Sequence, residues 1–122
     1  MAVLIDTNIF SLFSEVTVLL QKQCFPLIHC LNSVIWIELI QGSKSNTEIK
    51  TIEKHLANYL FIPVDERTSD EALSLIRTYS NNSGLLLADA FIAATCLVNN
   101  LELLTFNQRD FKFIAGLKLL SI

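Results

Sequence analysis

Residues 2–5 read Ala-Val-Leu-Ile, an unbroken apolar run that stops at Asp6. A strand with one wet face alternates apolar and polar residues. A strand with no polar position must be covered on both faces, which predicts a central strand of a parallel sheet. A second run, Phe25 to Cys30, reads as another strand, with Pro26 near its start, where a missing N–H is tolerated. Shorter apolar pieces at Phe61-Ile62 (closed by Pro63), at Leu101 to Thr105 and near Leu117 to Leu120 bring the number to about five.

Helical segments lie between these strands. The first is expected over residues 9–23, in one or two pieces. Ser33 is the expected cap of a helix running to Gln41, with Gly42 at its stop. A Ser45/Glu48 capping box opens a helix to about Tyr59, and a Thr68/Glu71 box opens another to about Ser80. After a polar loop, Asn81-Asn82-Ser83-Gly84, comes a helix over Leu86 to Asn99. This alternation predicts one α/β domain over residues 1–122, with a parallel central sheet and helices on both faces.

Composition narrows the function classes. Twelve acidic residues against nine basic ones give 9 − 12 = −3, with 52% hydrophobic and only 17% charged residues. Disorder is excluded, as is a basic protein that grips nucleic acid by bulk charge. So apolar a surface is expected to supply interfaces. Cys24, Cys30 and Cys96 are odd in number, far apart and form no C-x-x-C, so neither a disulfide framework nor a zinc knuckle is written. Cys96 reads as a small core residue, and Cys24, His29 and Cys30 as part of a buried strand region. The first residues lack a basic stretch, and Leu85 to Val98 is interrupted by Asp89 and shorter than the roughly 20 residues of a membrane span. A cytoplasmic protein with no membrane partner is the expectation.

The acids carry the chemistry. Asp6 directly follows a buried strand, and open parallel sheets place their sites at strand carboxyl ends. Its ordinary alternative is to start an Asx-turn or cap the next helix. Glu38 sits mid-helix among Val34, Ile35, Trp36, Ile37, Leu39 and Ile40. Asp89 has Leu85, Leu86, Ile92 and Ala93 at its helical neighbours and no cation within a turn. An ionised carboxylate on such a face costs several kcal/mol unless it is paired or binds metal. Oxygen ligands without His or Cys suit Mg²⁺ or Mn²⁺ rather than Zn²⁺. Past a later strand, Thr105, Asn107 and Asp110 fall at the same sheet edge: Asn107 can ligate or hold a water, and Asp110 can ligate or cap a short turn. Arg109 is one of the few cations near that edge.

Taken together, Leu4-Ile5-Asp6-Thr7-Asn8, Ile37-Glu38-Leu39, Leu87-Ala88-Asp89-Ala90-Phe91-Ile92-Ala93-Ala94 and Leu104-Thr105-Phe106-Asn107 with Asp110-Phe111 resemble the PIN-domain family, and specifically its VapC-type ribonuclease toxins. The resemblance spans essentially the whole chain. It implies a five-stranded parallel sheet and a Mg²⁺- or Mn²⁺-dependent endoribonuclease that forms a homodimer and is neutralised by a small VapB-like antitoxin. The family's acids carry over to Asp6, Glu38 and Asp89. The fourth position, often Asp in the family, is Asn107 here, which leaves Asp110 as the substitute. Thr7 and Thr105 would support the site by hydrogen bonds, and Arg109 would bind substrate.

Two other readings compete. In an aspartate-based phosphoryl-transfer domain, phosphatase- or receiver-like, Asp6 would be the nucleophile. The phosphatase type wants a second Asp two residues on, where Asn8 stands, and the receiver wants a late Lys where Thr105 stands. A catalytically impaired PIN-like binding module is the third reading, kept by the missing fourth carboxylate.

Overall fold

A computed structural model describes residues 2–12 and 28–120. Five parallel strands form one sheet: β1 (Ala2–Ile5), β2 (Ile28–Asn32), β3 (Leu60–Ile62), β4 (Glu102–Leu104) and β5 (Lys118–Leu119). Their order is β3-β2-β1-β4-β5. Val3, Leu4 and Ile5 are all fully buried, so both faces of β1 are covered, as its sequence requires. The register pairs Leu4 with Cys30 on one side and with Leu103 on the other.

The chain builds β1, β2 and β3 outward in one direction, then returns to place β4 against the opposite side of β1. The strand order therefore reverses between β1 and β4. At such a switch point the connections leave in opposite directions and a crevice opens at the carboxyl ends of the strands. Asp6 N donates to Leu104 O at 2.9 Å, so the β1–β4 pairing continues to the lip of this crevice.

Among the described residues four helices accompany the sheet: α1 (Ser33–Gln41), α2 (Asn46–Leu56), α3 (Glu66–Ser83) and α4 (Leu87–Asn99). Several boundaries depart from expectation for identifiable reasons. The segment after β1 is a 3₁₀ turn at Thr7–Leu12, starting earlier than residue 9; the remainder of the expected 9–23 helix, Cys24 and residues 25–27 lie outside the described residues. β2 runs to Asn32 rather than ending at Cys30. Ser33 does not cap α1. Asn32 does, its Oδ1 accepting from Ile35 N at 2.9 Å, while Ser33 Oγ accepts from Val64 N at 3.2 Å.

Ser45 does cap α2, accepting from Glu48 N at 3.1 Å, but Glu48 reaches back to Lys44 N instead of completing the box on Ser45. α3 opens one turn earlier than the Thr68/Glu71 signal, because Asp65 Oδ1 accepts from Thr68 N at 2.9 Å and Thr68 itself is buried. It continues through Asn81, Asn82 and Ser83, the expected loop, and stops at Gly84, whose φ of +72° only glycine adopts readily. α3 packs along α4, and Ala90, Ile92, Ala93, Ala94, Thr95 and Cys96 of α4 are buried. Among the described residues no helix is long and apolar enough to cross a membrane.

Candidate active site

Asp6 leaves the end of β1 with its side chain almost wholly buried. Its two oxygens are held separately: Oδ1 accepts from Thr7 N at 2.7 Å, and Oδ2 accepts from Thr105 Oγ1 at 2.7 Å. Thr105 follows β4, so this bond ties the two strands at the switch point. The Thr105 hydroxyl also accepts from Asn8 Nδ2 at 3.2 Å and from Asn107 N at 3.0 Å. One donor and two lone pairs are all a hydroxyl has, so its hydrogen-bonding capacity is full. Asn8 spans the same gap a second time, its Oδ1 accepting from Phe106 N at 3.2 Å.

Glu38 comes from α1. Its Oε1 accepts from Thr7 Oγ1 at 2.8 Å, so the residue after Asp6 carries the link between the two acids. Asp89 comes from the first turn of α4, which has Leu86 at its cap position and no side-chain cap bond. Asp89 is thus the third residue of the helix, not its cap. α1 and α4 are set against each other by Asn32, whose Nδ2 donates to Thr95 Oγ1 at 2.9 Å while its Oδ1 caps α1. Fully buried, Asn32 belongs to no expected site, although it fixes where Glu38 and Asp89 can meet. The sequence signal was the Asn-Ser pair ahead of an apolar helix, which offers two caps and does not say which one is used.

The acids act on one another. Burial raises the Asp6 carboxyl above its ordinary 3.8; the bonds from Thr105 and Thr7 oppose this, and Glu38 and Asp110 add to it. Burial, then Asp6, Asp110 and Glu38, push Asp89 up to about 6. Asp110 ends a 3₁₀ turn, Gln108–Asp110, instead of capping it, and its charge reaches both Asp6 and Asp89. Asn107 is exposed, and its side chain makes no cap bond. A concavity of about 440 Å³ is lined by Gly84, Leu86, Asp89, Arg109, Asp110 and Phe113.

The sequence therefore scatters Asp6, Glu38, Asp89 and Asp110, and the fold gathers them with Thr7, Thr105 and Arg109 at one sheet edge. Among the described residues no three Asp, Glu, His or Cys side chains form a ready ligand set for a metal ion. What the cluster offers is hard oxygen donors and an excess of negative charge. That suits a hydrated cation more than one stripped of water, because Mg²⁺ needs only one or two protein carboxylates and keeps several waters.

Comparison with known proteins bears on the fold and the family. The family described as PIN domain matches residues 3–117. A toxin–antitoxin complex from Klebsiella pneumoniae contains a chain 28% identical to this one, superposing with a TM-score of 0.76 over 94% of each chain. VapBC2 from Rickettsia felis, solved with a DNA fragment from its promoter, is 22% identical with a TM-score of 0.81, covering 100% of this chain and 99% of the other. VapBC-1 from nontypeable Haemophilus influenzae is 20% identical with a TM-score of 0.81, covering 99% and 98%. No curated protein matches the chain.

Proposed function

Since this chain belongs to the PIN-domain family, we propose that it is a divalent-metal-dependent endoribonuclease acting as the toxin of a toxin–antitoxin pair. The observation that carries the reading is the carboxylate cluster at the switch point, in which burial and like charge hold Asp6 and Asp89 above the ordinary carboxylate range. A fold that assembles such repulsion does so at a cost, and a cation at the same place removes it.

Asp6, Glu38 and Asp89 are the residues that would hold a hydrated Mg²⁺ or Mn²⁺, with Asp110 in the role the family gives to a fourth acid and Asn107 beside it. When bound, such an ion makes water a nucleophile at neutral pH and offsets charge on the leaving oxygen. The protein supplies placement. Thr105 and Thr7 N fix the two oxygens of Asp6, and the Thr7 hydroxyl fixes Glu38. Arg109 lines the rim with Asp89 and Asp110, and its guanidinium would bind a backbone phosphate. An acidic protein with this arrangement takes a polyanion at one point and repels it elsewhere.

The protein partners are supported by apolar surface. Ile37 and Phe61 stand exposed around a concavity of about 440 Å³ that Ser33 and Trp36 complete. A separate one of about 230 Å³, between α3 and α4, is lined by Ala72, Leu73, Ile76, Leu87 and Phe91, among others. Two such faces suit a chain that pairs with a second copy and with a small antitoxin.

The test is cleavage of single-stranded or hairpin RNA by the purified protein. Cleavage should require Mg²⁺ or Mn²⁺, stop with chelator and stop in Asp6→Asn. No cleavage with either ion, or full cleavage by Asp6→Asn, would remove the nuclease reading. The phosphoryl-transfer alternative would instead show as a labile phosphate on Asp6.

A further inference from the structure

Phe106 is about half exposed although it directly follows buried Thr105. None of the described ring–ring contacts involves it. Its backbone is fixed on both sides: Phe106 N donates to Asn8 Oδ1 at 3.2 Å, and Asn107 N donates to Thr105 Oγ1 at 3.0 Å. The same Thr105 hydroxyl donates to Asp6. A large aromatic ring is thus held in water on the segment that orients the buried acid.

Its surroundings are chemically specific. Thr105, Phe106, Gln108 and Arg109 line a concavity of about 360 Å³. Arg109 lines the Asp89–Asp110 concavity as well, so the two depressions share this residue. An aromatic face, an amide able to donate and accept, and a cation beside a carboxylate site match three parts of a nucleotide: the base plane, the base edge and the phosphate. A partner protein would be served by the larger apolar faces described above, where no guanidinium is needed.

From this we infer that Phe106 is a stacking platform for one single-stranded base next to the scissile phosphate, with Gln108 at the edge of that base and Arg109 on the intervening phosphate. The inference rests on the ribonuclease reading and deepens it by naming a substrate subsite. It makes the enzyme one that binds a splayed base rather than a duplex, because a paired base has no free face to offer.

The test uses Phe106→Leu, which keeps an apolar side chain without a π face, and Phe106→Trp, which keeps the face. A short single-stranded RNA carrying one 2-aminopurine is titrated with the full chain in Ca²⁺, and cleavage kinetics are followed separately in Mg²⁺. The wild type and Phe106→Trp should quench the 2-aminopurine on binding. Phe106→Leu should lose the quenching and bind at least about fivefold more weakly, the low end of one base–aromatic stack. Its KM should rise while kcat stays near wild type, and its thermal midpoint should not move, because the ring is half in water. If Phe106→Leu binds and quenches as the wild type does, the platform is refuted, and cleavage by both would leave the nuclease reading standing. Weakened self-association or protein-partner binding with unchanged RNA affinity would refute it too, making Phe106 a protein contact. A wild type that neither binds nor cleaves the RNA would overturn both.

Discussion

Replacing Asp89 with Asn tests whether the acids are held together against their own repulsion. Burial and three neighbouring carboxylates raise Asp89 from the ordinary 3.8 to about 6. At about 1.36 kcal/mol per pH unit, that rise of about 2.2 corresponds to about 3 kcal/mol against the folded state once the carboxyl ionises. The side chain is only half-buried, and solvent screening cuts the figure to about 1.5 kcal/mol. As the third residue of α4, the carboxylate recovers about 0.5 kcal/mol from the helix N-terminus, which Asn forgoes. Asp89→Asn should therefore fold about 1 kcal/mol more stably than wild type near pH 7.5 in chelator.

The sign follows from proton counting. Between 3.8 and about 6 the folded chain holds a proton that the unfolded chain has released, so stability from this group falls as pH rises through that window. Below 3.8 both states are protonated and the contribution vanishes. Urea unfolding in EDTA, from about pH 3.5 to about pH 8, should show the gap between wild type and variant opening across this window. Added Mg²⁺ should then stabilise the wild type more than the variant, since a ligand stabilises the state that binds it. A variant less stable than wild type near pH 7.5, or a gap that ignores pH, would show that Asp89 is a structural residue and would refute the repulsion argument.

Two further substitutions probe the supports of the site. Thr105→Val removes one hydroxyl that serves Asp6, Asn8 and Asn107; it should cost about 1–3 kcal/mol in urea unfolding and lower RNA cleavage by at least about tenfold through loss of Asp6 placement, with Thr105→Ser recovering most of both. Asn32→Ala removes the α1 cap and the bond to Thr95 inside the core; it should cost about 2–3 kcal/mol, read as a lower urea midpoint, and should reduce cleavage even though Asn32 is remote from solvent.

The sequence by itself determined the class of sheet, because an apolar run with no polar position has to be covered on both sides. It also marked Asp6, Glu38 and Asp89 as anomalous, since each is an acid without a local cation. Element ends were less legible. Asn32 and Ser33 compete for one cap, as do Asp65 and Thr68 for another, and packing chooses: Thr68 is buried and cannot serve as the exposed first residue of its helix. The polar Asn81-Asn82-Ser83 reads as a loop by composition, yet it completes the last turn of α3.

Only the tertiary structure decided which acids share a field, because that depends on where β4 returns beside β1. Sequence distance says nothing about Thr105 reaching Asp6 across 99 positions, or Asn8 bridging to Phe106 across 98. It decided that Asp110, which local chemistry could equally have used as a cap, lends its charge to the cluster. It likewise decided that Asn32 joins α1 to α4. Local hydrophobic pattern and capping chemistry act within a turn or a strand, whereas a buried carboxylate is satisfied or repelled by whatever the fold brings to it.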